Sequence, residues 1–169
     1  MKQTYRNKAD VFFAKFEEIL GFNRVDLEES WDFDHICYRV ETEESYHKVK
    51  SNFLEFSNLL GESLVGGRLI ATFKLTQPLI FRGREIFLVE LPMPKSGSHY
   101  QEGFQHIEVV CALPFEELQK KYSHLKQNIA GLKKEFNKEL EIKLGDYYSL
   151  KFHHQSLEDV IKWEKSVGF

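Results

Sequence analysis

Two apolar runs of this chain carry ionisable side chains that are costly to bury unpaired. Glu90 lies inside IFLVELP (86–92), and His106 and Glu108 lie inside FQHIEVV (104–110). A carboxylate or an imidazole set among Ile, Leu, Val and Phe needs a partner. Upstream, DHICYRV (34–40) echoes QHIEVV (105–110): a histidine, then an apolar strand. Downstream, SLKFHH (149–154) brings His153 to a strand end. Four strands could therefore aim His35, Glu90, His106 and His153 at one place. Two histidines and a carboxylate are the facial triad of non-haem iron and related divalent centres.

Alternation sharpens this reading, because every second strand residue shares a face. His35, Cys37 and Arg39 face one way, and so do His106 and Glu108, and Ser149, Lys151 and His153. Lys74, in ATFKL, adds a further cation to the polar set. A sheet with His, Arg, Lys and Glu on one face and aliphatic residues on the other suits a cup with a polar interior. Arg39, Lys74, Glu108 and Lys151 are then candidates to hold substrate. A solvated sheet face shows the same alternation, so a metal centre and a wet face both remain open. Cys37 is either a soft ligand or a small buried hydrophobe. His47 and His124 fall on helices among Lys and Ser, and His99 and Tyr100 on a loop. No local hydrolase signature joins a serine to any of these histidines.

The elements that must position these groups follow in order. Residues 6–21 have helical apolar spacing, with Gly21 as the expected stop. Residues 34–40 form a strand. Thr42 opens a helix expected to reach residue 60 and to stop at Gly61. Residues 63–65 and 68–75 flank a Gly66-Gly67 hairpin turn, and 79–81 and 85–91 are extended about Arg82-Gly83-Arg84. The order then repeats. Residues 104–111 make a strand, and Pro114 starts a helix holding Phe115, Leu118, Tyr122 and Leu125. A polar linker spans 128–134, strands follow at 140–144 and 147–153, and Ser156 caps a last helix. Hairpins after each βα unit argue for α+β rather than a doubly wound parallel sheet.

Composition excludes some classes. The 169 residues suit one domain with a full core, and 15 Phe and 7 Tyr can furnish it. A formal charge of −3 without a long basic block disfavours nucleic acid as a partner. No apolar run approaches the ~18 residues of a membrane span, and MKQTYRNKAD lacks an export pattern. With Cys37 and Cys111 as lone thiols, the expectation is a cytoplasmic protein.

DHICYRV, GGRLIATFKL, FLVELPMP, EGFQHIEVV and LKFHHQSLEDVI together resemble the YecM-like family, in order and in spacing, from Phe22 onward. The resemblance implies the vicinal-oxygen-chelate architecture of glyoxalase I, bleomycin-resistance proteins and extradiol dioxygenases. It implies one domain: a helical extension over 1–31, then paired βαβββ modules at 32–95 and 102–169 around one cupped mixed sheet. It implies metal ligands on the first and last strands of each module, carried here to His35, Glu90, His106 and His153. The metal would be Zn, Ni, Fe or Mn. Glyoxalase-type enzymes place a glutamate base on the last strand, where this chain has His153 as ligand or base. The expected activity is a metal-dependent isomerase, lyase or dioxygenase acting on a small oxygen-bearing molecule, as monomer or homodimer. A non-catalytic module that sequesters a small molecule is the alternative.

Overall fold

A computed structural model of the chain describes residues 2–167. They divide into two compact units: residues 2–13 with 35–105, and residues 14–34 with 106–167. Helix α1 (Gln3–Phe22) contributes to both. Its buried positions Tyr5, Ala9, Phe12, Phe13, Phe16 and Leu20 recur every three or four residues, which is one apolar helix face. Gly21 does not end it. The chain reverses later, at Arg24, whose φ of 54° is left-handed.

The first unit runs from residue 35 of β1 (Asp32–Arg39) through α2 (Glu43–Leu54), β2 (Ser57–Val65), β3 (Arg68–Phe81) and β4 (Arg84–Pro92). Its strands lie in the order β2-β3-β4-β1, with β1 parallel to β4 and the other pairs antiparallel. Thr42 caps α2 by accepting from the Ser45 amide at 3.0 Å. The helix ends six residues before the expected place, and Gly61 lies inside β2. Residues 57–65 gain a backbone ladder against β3, and that tertiary pairing overrides the helical spacing of residues 57–60. Proline 78 does not interrupt β3, because a register shift between Lys74 and Leu79 absorbs it. Gly66 and Gly67 form the hairpin turn, both at positive φ. Ile36, Tyr38, Phe53, Phe73 and Val89 are buried at the centre of this unit. Edge-on ring contacts of Phe53 with Tyr5, Tyr38 and Phe73 pack it.

The second unit repeats the βαβββ order from residue 106 of β5 (Gly103–Val110): α3 (Phe115–Lys121), β6 (Gln127–Asn128), β7 (Leu140–Lys143) and β8 (Ser149–His153) follow. Helix α4 (Leu157–Val167) closes it. Its strand order is β5-β8-β7-β6, with β5 parallel to β8, so first and last strands pair in each unit. A short 3-10 turn, Ala130–Lys133, occupies the expected linker. Helix α3 stops at Lys121, and Leu125 falls outside it. Tyr122 is the C-cap residue and donates its hydroxyl to the Asp26 carbonyl at 2.7 Å. Ser156 caps α4 through the Asp159 amide at 3.2 Å. Trp31 and Tyr122 both pack on the ring of Phe152. The fold is α+β, with four α-helices and eight strands, in parallel and antiparallel pairs, among the described residues. Among the described residues, no helix is long and apolar enough to cross a membrane.

Candidate metal centre

In each unit the parallel pairing of first and last strands sets the candidate donors side by side. In the first unit Cys37 of β1 lies opposite Glu90 of β4, and His35 lies opposite Leu88. On the far side of β4, Thr72 and Lys74 of β3 stand opposite Glu90 and Leu88. His35, Cys37, Glu90 and Lys74 therefore share one face, as alternation predicts. His35 Nε2 lies 3.7 Å from Glu90 Oε2, with side-chain exposures of 2% and 17%. Two donors each about 2.1 Å from a zinc-sized ion sit roughly 3–3.5 Å apart, so a small closure would suffice. Arg39, one step further along β1, lays its guanidinium 5.1 Å from the centre of the Tyr100 ring.

In the second unit His106 lies opposite Ser149, Glu108 opposite Lys151, and Val110 opposite His153. Glu108 is the hub. Its Oε1 accepts from Lys151 Nζ at 2.7 Å and meets His106 Nε2 at 3.1 Å. Its Oε2 lies 3.8 Å from His153 Nε2. A carboxylate already paired with an ammonium only accepts, so the His106 contact places a proton on Nε2. A metal ion would take that proton's place. His153 Nε2 also lies 3.8 Å from Asp34 Oδ2, and Asp34 accepts from the Leu157 amide at the start of α4 at 3.0 Å.

His153 has a second contact, which bears on its tautomer. Its Nδ1 is hydrogen-bonded to the Gln155 carbonyl. A carbonyl cannot donate, so Nδ1 carries the proton and a neutral ring keeps its lone pair on Nε2. That lone pair faces the carboxylates of Asp34 and Glu108. A divalent ion there would meet one imidazole nitrogen and two carboxylates. Metal-bound histidines generally donate their other N–H to a carbonyl or carboxylate, as His153 does. The donor set of imidazoles and carboxylates fits a borderline divalent ion.

The structure thus brings together His35 with Glu90 in one unit, and His106, Glu108, Lys151 and His153 in the other. Sequence reasoning passed over Asp34, because alternation sends it to the face opposite His35. It also passed over the Gln155 carbonyl, a main-chain group that residue identity does not report.

A family model described as YecM protein matches residues 2–147. An uncharacterised protein of Haemophilus influenzae is 30% identical over 105 residues, which are 62% of this chain and 53% of that protein. The match therefore spans about half of that relative's length. The structural-genomics target Protein EC4020 superposes with a TM-score of 0.78 at 23% identity, covering 96% of this chain and 92% of that one. Methylmalonyl-CoA epimerase of Streptomyces coelicolor superposes with a TM-score of 0.50 at 11% identity, over 72% of this chain and 92% of that one. At under 25% identity, these two likenesses show a shared fold and nothing further.

Proposed function

The chain belongs to the YecM family, and from that premise we propose that it is a divalent-metal-binding protein acting as an enzyme on a small oxygen-bearing substrate. In this reading His35, Glu90, His106 and His153 hold one ion, and the two modules work as a single domain. The observation that carries it is His153: its Nδ1–H is taken by Gln155, and its Nε2 is turned toward two carboxylates. A bound divalent ion supplies Lewis acidity, polarising the oxygens of a substrate. The chain's own residues do the rest. Arg39 and Lys74 hold the substrate's negative charge, Lys151 and Glu108 orient it beside β8, and His153 moves a proton when it is not a ligand. The reaction class is isomerase, lyase or dioxygenase. Cys37 and Cys111 are buried and in no disulfide, which supports a cytoplasmic setting.

Elemental analysis after repletion with Zn, Ni, Fe and Mn tests the proposal. One ion per chain is expected in the parent. His106→Ala and Glu90→Gln should each abolish stoichiometric binding and keep the fold, while His47→Ala, on α2, should change nothing. If both site variants bind metal like the parent, the ligand assignment is wrong. A parent that binds no metal but retains a small oxygen-bearing molecule is instead a sequestering module.

A further inference from the structure

Two arginines of the first unit lie on the sheet face that carries Glu90. Arg39 is the last residue of β1, and Arg68 is the first of β3, set there by the Gly66-Gly67 turn. Strand β4, with Glu90, runs between their two strands. Each guanidinium is held in place. Arg39 stacks over Tyr100 at 5.1 Å, and Arg68 Nη1 donates to the Met93 carbonyl at 3.2 Å. Both side chains are half-buried. Burial, and after it the charge of Arg39, push the Arg68 guanidinium down from its ordinary value. Tyr100, Cys37 and Glu90 pull it back up.

Like charges confined in a partly dry place repel, and their forks cannot bond each other because a guanidinium has no acceptor. A bound anion reverses both effects, since each planar fork can grip two oxygens. We propose that Arg39 and Arg68, with Tyr100 as the wall, form a subsite for a small oxyanion: the carboxylate or phosphate of the substrate. This deepens the enzyme reading and rests on it for the identity of the anion as substrate. The subsite itself belongs to one unit and does not need the metal. Arg68 and Tyr100 then join Arg39 as groups that select an anionic substrate. Neutral molecules with the same reactive oxygens would bind poorly.

The test uses the full chain freed of metal by chelation, titrated calorimetrically with inorganic phosphate and, separately, with succinate. Binding of at least one is expected, and the tighter of the two identifies the anion class. Arg39→Gln and Arg68→Gln should each weaken it at least about tenfold, the loss of one charge-assisted contact. Arg6→Gln, an equal charge change on α1, should leave it unaltered. Both site variants should still take up one metal ion per chain, which separates this subsite from the metal centre. Failure of both anions to bind, or equal affinity in Arg39→Gln, Arg68→Gln and parent, overturns the proposal. Should Arg68→Gln melt early, Arg68→Lys keeps the charge without the fork and is expected to weaken binding as well.

Discussion

His153 donates its Nδ1 proton to the carbonyl of Gln155, two residues further on, and thereby presents Nε2 to Asp34 and Glu108. The tautomer is imposed by a main-chain acceptor, so it should persist when the surroundings change. Nitrogen-15 NMR of the chelated protein near neutral pH should show an Nδ1–H for His153. On adding zinc, the Nε2 resonance should move while the Nδ1–H remains. An Nε2–H that survives metal saturation would count against ligation by His153.

The ion pair of Lys151 with Glu108 is deeply placed, with side-chain exposures of 15% and 6% at a separation of 2.7 Å. Lys151→Met leaves the Glu108 carboxylate buried with one cation fewer. Breaking such a pair costs about 3 kcal/mol or more. In chelated protein, urea unfolding should show that loss. A divalent ion beside Glu108 restores positive charge and stabilises only the folded chain, so saturating zinc should recover part of it. Equal destabilisation with and without zinc would mean that no ion approaches Glu108.

Much of this arrangement was legible because strands have a period of two. The alternation of QHIEVV and SLKFH puts Glu108 and Lys151 on matching faces, and the parallel register of β5 and β8 sets them opposite each other. Thr42 and Gly66-Gly67 announced a cap and a turn through local chemistry alone. What stayed hidden depended on pairing at a distance. Residues 57–60 carry helical spacing, yet the β3 ladder claims them as strand. Asp34 alternates away from His35, and only the fold carries it to His153 and to the start of α4. The ion pair between Glu108 and Lys151 was not announced by spacing, which offered both only as candidate substrate contacts.

Glu141 supplies a pH prediction away from the centre. Burial alone would raise its carboxyl, but Lys143 at 2.7 Å and Asn128 at 2.9 Å outweigh that and bring it down to about 2. A carboxyl lowered in the folded state adds stability above its unfolded value of about 4.5, and that stability fades as pH falls toward 2. Glu141→Gln should therefore destabilise the protein at neutral pH, and the gap to the parent should narrow steadily between about pH 4.5 and 2. Chemical denaturation across that range measures it. A constant gap would assign the loss to packing and not to charge.

The proposal that His35 and His106 serve one ion makes a quantitative demand on stoichiometry. Were each histidine part of a separate centre, the parent would bind two ions, and either single substitution would remove one. With a shared ion, the parent binds one, and His35→Ala or His106→Ala alone removes it. The double variant then loses nothing further, the non-additive behaviour expected of groups that act on one object. Acidification should act in the same direction. Both imidazoles must be neutral to bind, so affinity should fall as pH drops through about 6.5, the ordinary histidine value. Competition titrations against a chromogenic chelator, at pH 7.5 and pH 5.5, give the affinity and count for parent, singles and double. Two ions in the parent with one lost per substitution would replace the shared centre by two independent ones. Retention of a single ion in both single variants would show that neither histidine is a ligand.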